Sequence, residues 1–351
     1  MGQALVWLAG ALDYDRIPSY FITRVHRLLK EQAGLAVPFR ELRRRCNESG
    51  LRLAPLVQAR ADAAIGDLER FRLLVQWAIA GNHLDFRTVG TGYDLAPEAI
   101  EVALEGIVGE GLAIDDTPRL LELVRGGPTV LYLADNVGEI ALDALLIAEL
   151  QRYGCAVTVA VKGGPITSDA TLDDARALRL DRLAPLILTG PDTLGIPIDE
   201  EMSPELRQAL ARSDLVIGKG QANYYALSEL EPDLPGQVAC LLRTKCLPAA
   251  AGLGLSVPRA NVAAILTRSG SGDVVQPGSN RTCAAGTTPT PAAPSSKSVC
   301  GPTWGRGHFF YGLFGGRARC APCRQTTRFR YLPSPGGRRG VRLGRGWGRG
   351  R

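Results

Sequence analysis

The sequence predicts an α/β protein: a helical N-terminal region packed on a three-layer α/β/α sandwich with a mostly parallel sheet, and a disordered C-terminal tail. Three observations predict it. Residues 14–120 carry apolar positions at spacings of three and four, with charges between them. From Thr129, short apolar runs alternate with amphipathic segments, the pattern of strand–helix–strand units that build a parallel sheet. After about Arg268 the periodicity stops. These changes set the expected boundaries at 1–125 for the helical region, 126–268 for the sandwich and 269–351 for the tail.

The helices are read from their ends. TRVHRLLKEQAG stops at Gly34, and glycine closes helices because it enters the left-handed region without steric penalty. From Pro38 to Gly81 the spacing stays helical; Pro38 suits a first turn and Gly81 a C-terminal stop. GNHLDF (81–86) is a turn in which Asn82 and Asp85 can serve simply as caps. PEAIEVALEGIVGEGL and TPRLLELVRGG are further helices. The opening GQALVWLAGAL is apolar but short, has no basic residue ahead of it and meets Asp13, Asp15 and Arg16 at once, so neither a signal peptide nor a membrane span is expected.

The expected strands are Val130–Leu133, Ala156–Val161, Leu186–Leu188, Leu215–Ile217, Val238–Leu242 and Val262–Leu266, with helices at 139–152, 171–178, 203–212 and 222–230. The tail is rich in Gly, Pro, Ser, Thr and Ala and ends in a Gly-Arg tract; it cannot bury enough apolar surface to offset chain entropy.

The net charge of +6 averages two unlike parts. From Leu255 onward there are 16 Lys/Arg and one acid, Asp273, which leaves 25 basic and 34 acidic residues before it: about −9 for the body and +15 for the tail. An acidic body is compatible with gathering divalent cations and gives no support for nucleic-acid binding, which only the Gly-Arg tail has the chemistry to do. The eight cysteines are scattered, and several fall in apolar segments, which fits a reducing, cytoplasmic compartment. Cys320-Ala-Pro-Cys323 has no partner pair and is read as incidental.

Three segments follow expected strands and so reach one edge of a parallel sheet, where ligands bind in such folds. The first holds Asp135 and Asn136; the second is KGGPITSDATLDDA with Asp169; the third is GKGQANYYALSE with Gly218, Lys219, Gly220 and Asn223. Asp135, Asn136 and Asp169 offer hard oxygen ligands suited to Mg²⁺ or Mn²⁺. Lys219, the Gly218 and Gly220 amides and a helix start suit a phosphate oxygen. Singly these are turn and cap residues; jointly, on strand ends, they favour a site. Glu139 and Asp143 share a helix face, where they complement the helix dipole or orient what the site binds. Lys162, before Gly163-Gly164, is a plain turn residue or a second cation near the substrate. With three histidines in the chain, a His-rich zinc site cannot be built.

DNVGEIALD, GGPITSDAT and SDLVIGKGQANYYALSE, with AIAGNHLDF upstream, resemble the metal-dependent damage-control phosphatases, also called acidic-residue-methyltransferase-like and formerly a domain of unknown function. The likeness covers about 15–266, in order, and looks closest to the stand-alone prokaryotic branch. It implies a divalent-metal phosphatase (Mn²⁺, Mg²⁺, Co²⁺ or Ni²⁺) acting on small phosphorylated metabolites such as sugar or cofactor phosphates. By motif, Asp135, Asn136 and Asp169 would be metal ligands and Lys219 a phosphate-binding residue, with Asp135 or Asp169 as nucleophile or base; Asn82 and Asp85 would line the site. The chain carries Ser168 where the family usually has Asn, and Tyr225 where a Glu often follows the Asn-aromatic pair. Two other classes compete. A carboxyl methyltransferase using S-adenosylmethionine fits a doubly wound fold, but the first strand leads into DNVGE and not into a Gly-rich nucleotide loop. A nucleic-acid binder would work through the tail alone.

Overall fold

Along the chain of the computed structural model, which describes residues 2–11, 16–85 and 97–266, the helical half comprises α1 (Gly2–Ala11), α2 (Pro18–Gln32), α3 (Arg40–Ala63), α4 (Asp67–Ala80), a 3₁₀ turn at Gly81–Leu84 and α5 (Pro97–Gly109). There follow β1 (Ile114–Asp115), α6 (Thr117–Val124), β2 (Thr129–Leu133), α7 (Glu139–Arg152), β3 (Ala156–Val161), α8 (Leu172–Ala177) and β4 (Leu186–Leu188). The last elements are α9 (Pro204–Arg212), β5 (Leu215–Lys219), α10 (Gly220–Leu230), β6 (Gln237–Arg243), α11 (Leu247–Gly252) and β7 (Asn261–Leu266). The expected tail, 269–351, lies outside the described residues.

All six expected strands are present, and the central ones, β2, β5, β6 and β7, have the signature of strands buried on both faces, while the edge strand β4 is only partly covered. In β2, Val130 and Tyr132 enter one apolar core and Leu131 and Leu133 the other. The first core is closed by α3 to α7 and the second by α9, α10 and α11, which makes the sandwich. Such a strand reads as a continuous apolar run because no face meets water. The described strands form one sheet in the order β1-β7-β6-β5-β2-β3-β4. Every pairing is parallel except β6 with β7.

The helical half differs from expectation in three places. Ala64–Gly66 breaks the run from 38 to 81 into α3 and α4, with Gly66 at φ +90°. Pro38 stands ahead of its helix, because Phe39 takes the left-handed region and α3 starts at Arg40. Ile114–Asp115 is a strand at the sheet edge, too short to show alternation.

Helix α3 meets the turn between β2 and α7 backbone to backbone. A Cβ on Gly50 would lie 2.2 Å from the Gly138 carbonyl oxygen, and one on Gly138, at φ +75°, would lie 2.5 Å from the Cys46 carbonyl oxygen. Elsewhere in a helix interior Gly→Ala is stabilising, by roughly 0.5–1 kcal/mol. Gly50→Ala is expected to do the opposite, lowering stability by about 1–3 kcal/mol as an overpacked contact; a lower urea midpoint with an unchanged slope is the readout.

Candidate functional site

β5 lies beside β2 although the chain visits β3 and β4 between them. The strand order therefore reverses at this pair, and the crevice beyond the carboxyl ends at such a reversal is where open α/β sheets bind ligands. Asp135 and Asn136 leave β2 there; Lys219 ends β5 and Gly220 starts α10. The segment after β3 returns to the same rim. Asn136 and Asp169 form an isolated antiparallel bridge. The Ala170 amide donates to the Asp135 carbonyl and the Val137 amide to the Ser168 carbonyl, each at 2.8 Å.

The side chains converge as the backbone does. Asp135 Oδ2 accepts from Asn82 Nδ2 at 2.9 Å and Asn136 Nδ2 at 2.8 Å. Both amides also donate to Glu139 Oε2, at 3.2 and 2.9 Å. Asp169 accepts from Thr167 Oγ1 and from the Gly195 amide, both at 3.1 Å. Ser168 Oγ lies 2.7 Å from Asp85 Oδ1 and 2.8 Å from Asn136 Oδ1. Lys245 Nζ donates to the other Asp85 oxygen at 2.6 Å. Asn82 and Asp85, read as caps or site residues, thus reach the cluster, Asn82 through Asp135 and Glu139 and Asp85 through Ser168, which links it to Asn136.

Two expectations for the third segment are corrected. It is not a Gly-Lys-Gly loop: β5 runs through Lys219, Gly218 pairs with Leu133 on one side and Cys240 on the other, and α10 begins at the next residue. Gly218 serves packing, since a Cβ there would lie 2.3 Å from Leu227 Cδ1. Nor does Lys219 present its ammonium to an open anion pocket. Its Nζ is wholly buried and donates to Ala78 O at 2.9 Å, Glu139 Oε1 at 2.7 Å and Asp143 Oδ1 at 2.5 Å. An ammonium has three donors, and all three are engaged. Asn223 sits in the first turns of α10; its Nδ2 donates to Lys219 O at 2.8 Å and reaches Ala134 O at 3.3 Å.

The electrostatics are set by burial. Asp135, Glu139, Asp143 and Asp169 are all buried, and among the described residues the wholly buried cations are Lys162 and Lys219. Burial, then the charges of Glu139 and Asp169, push the Asp135 carboxyl up to about 7, against the pull of Lys162 and Lys245. Burial also raises Glu139 and Asp143, with Lys219 opposing in both. For Lys219, burial alone would favour the neutral amine, but Asp143 and Glu139 outweigh it and keep the ammonium charged.

A hard divalent cation fits these residues. Four buried carboxyls face two wholly buried ammonium groups, a surplus of negative charge that a doubly charged ion would balance. Asp135 Oδ1 is buried without a hydrogen-bond partner among the described residues. No three His, Cys, Asp or Glu side chains among the described residues form a ready-made metal cluster. An ion here would therefore take two carboxylates, Asp135 and Asp169, with the Asn136 amide and water, which suits Mg²⁺ or Mn²⁺ better than a metal needing a full protein cage. Gly220 keeps this geometry: at φ +75°, a Cβ there would lie 1.8 Å from Asp135 Oδ2. Gly220→Ala is expected to displace that carboxylate and weaken Mn²⁺ binding by about tenfold or more, beyond roughly 1 kcal/mol of backbone strain; calorimetric titration measures it.

Sequence reasoning missed the residues that brace, from α3, the turns around Asp135 and Asp169. Arg43, 4% exposed, donates to the Thr167 carbonyl and to Asp174. One turn later, Asn47 accepts from the Gly138 amide at 2.8 Å and donates to Asp174 at 3.0 Å. Asp174 is also the partner in the capping box that starts α8 after Thr171. The i, i+4 spacing of Arg43 and Asn47 was the available signal, but RELRRRCNES reads as an ordinary solvated helix face.

Residues 5–257 match the family model described as the damage-control phosphatase ARMT1-like domain. A damage-control phosphatase of Archaeoglobus fulgidus is 38% identical over 258 residues, covering 73% of this chain and 85% of its own length. One from Pyrococcus horikoshii is 33% identical over 253 residues, covering 72% and 82%. Among solved structures, that of a DUF89 family protein from Pyrococcus horikoshii aligns with a TM-score of 0.65 at 29% identity, over 74% of this chain and 86% of the other.

Proposed function

This chain belongs to the damage-control phosphatase ARMT1-like family, and from that premise we propose that it is a divalent-metal-dependent phosphatase hydrolysing small phosphate monoesters, such as damaged or side-product sugar and cofactor phosphates. The carrying observation is the unpartnered Asp135 Oδ1, buried on the rim that Asp135 shares with Asp169. Asp135, Asn136 and Asp169 would hold the ion. When bound, the ion polarises a phosphoryl oxygen and offsets charge in the transition state.

The protein's own part is to hold that geometry. Asn82 fixes Asp135, the Gly195 amide fixes Asp169, and Ser168 joins Asn136 to Asp85. Lys219 compensates Glu139 and Asp143 beneath the ligands, so its contribution is to the site's charge rather than to a direct grip on phosphate. In the overall reaction a water oxygen bonds to phosphorus, the ester P–O bond breaks, and the alcohol leaves with a proton derived from that water. Cys155, Cys240 and Cys246 are free thiols, a state that a reducing cytoplasm would maintain. Among the described residues no helix is long and apolar enough to cross a membrane.

The test is hydrolysis of p-nitrophenyl phosphate and a panel of sugar phosphates with Mg²⁺, Mn²⁺, Co²⁺ or Ni²⁺. Turnover that requires one of these ions and stops with EDTA is expected. Absent turnover across the panel, or turnover indifferent to EDTA, would contradict the reading.

A further inference from the structure

Three lysines approach the rim, and they differ in the donors they have left and in whether water can reach them. Lys219 has none, since Ala78, Glu139 and Asp143 take all three. Lys245 pairs with Asp85 and has two donors left, but it is partly exposed, so water can take them. Lys162 lies directly after β3, wholly buried, and its ammonium donates to Ala134 O at 2.5 Å. That carbonyl is its partner among the described residues, so two of its three donors are unmet.

A buried ammonium short of hydrogen bonds is costly, and folded proteins rarely keep one without a use for it. The position points to the use. Ala134 O belongs to the residue just before Asp135. Asn223 Nδ2 approaches the same carbonyl at 3.3 Å, and Asn223 Oδ1 is buried without a partner. The backbone holds Lys162 on this rim: its amide donates to Ala170 O at 3.0 Å, next to Asp169, and it bridges to Thr171. Its charge is among those acting on Asp135.

We propose that Lys162, rather than Lys219, is the ammonium that binds the phosphoryl oxygens, with its two unmet donors turned to that anion. This assignment rests on the phosphatase reading above. It gives Lys162 the task of offsetting phosphoryl charge beside the Asp135–Asp169 pair, which makes it a catalytic residue.

Lys162→Met is expected to lower kcat/KM for a phosphate monoester by about 10²–10³-fold, the range for losing one preorganised donor to a developing oxyanion. The inhibition constant of inorganic phosphate should rise by about tenfold or more, while Mn²⁺ binding to the EDTA-stripped protein stays within about threefold or tightens, because a nearby positive charge is gone. Lys162→Arg, which keeps the charge with a different reach, should recover part of the phosphate affinity. Phosphate inhibiting Lys162→Met as it inhibits the wild type would overturn the assignment. If Lys162→Met does not fold, the Arg variant decides: a shift of about threefold or more in the phosphate constant supports the proposal, and no shift overturns it.

Calorimetric titration of phosphate into the Mn²⁺-loaded protein separates this proposal from the phosphatase reading. Binding to the wild type but not to Lys162→Met, with no ester hydrolysed by either, would sink the phosphatase and leave the anion site. Equal binding to both, or none to the wild type, would sink the Lys162 assignment.

Discussion

Asp135→Asn is expected to lose about 10³-fold or more in phosphatase turnover while making the metal-free protein more stable. The loss follows from removing the carboxylate proposed as a metal ligand, worth several kcal/mol of transition-state stabilisation. The gain follows from burial. The Asp135 carboxyl stands at about 7 in the folded chain, held up by burial and then by Glu139 and Asp169, and near the ordinary carboxylate value when unfolded. Between those values the folded state keeps a proton that the unfolded chain has released, so stability falls as pH rises through this window. Above pH 7 the wild type carries the full penalty, on the order of 4 kcal/mol, and the amide does not. The two urea midpoints should therefore stand apart in EDTA at pH 8, with the variant higher, and converge as the pH is lowered towards 5. Mn²⁺ should narrow the gap at pH 8, because it binds the wild type more tightly and so stabilises it more. A variant less stable than the wild type in EDTA at pH 8 would show that the carboxylate is not strained.

Lys219→Met carries the largest expected effect on folding. It leaves Glu139 and Asp143 facing each other without their buried cation. Breaking such a pair costs about 3–5 kcal/mol, a large part of the roughly 5–15 kcal/mol available to a domain. The variant should accumulate poorly and unfold at markedly lower urea. Adding Glu139→Gln and Asp143→Asn should recover most of that stability and little of the activity. Had Lys219 been a free phosphate-gripping residue, the single variant would fold as the wild type does and lose activity alone; that outcome would refute the ion-pair role.

The sheet was legible because its central strands are buried on two faces, so Val130–Leu133 and its counterparts stand out as apolar runs. The convergence of Asp135, Asn136 and Asp169 was legible for a related reason: parallel strands deliver their following turns to one edge. What surrounds them was harder to read. Lys219 between two glycines looks like a phosphate loop, and only the packing of α4 and α7 shows that its ammonium is engaged by Ala78, Glu139 and Asp143. Arg43 and Asn47 lie about 90 to 130 residues from the turns they brace, and such pairings leave no local pattern. β1 was invisible because two residues carry no periodicity.

The central claim is that Asp135, Asn136 and Asp169 together hold one divalent cation. Calorimetric titration of Mn²⁺ into the EDTA-stripped protein tests it most directly, with Asp135→Asn and Asp169→Asn run alongside. The account predicts one ion per wild-type chain and affinities weakened by about 100-fold or more in both variants. A wild type that takes up no Mn²⁺, or variants that bind it as tightly as the wild type, would contradict it.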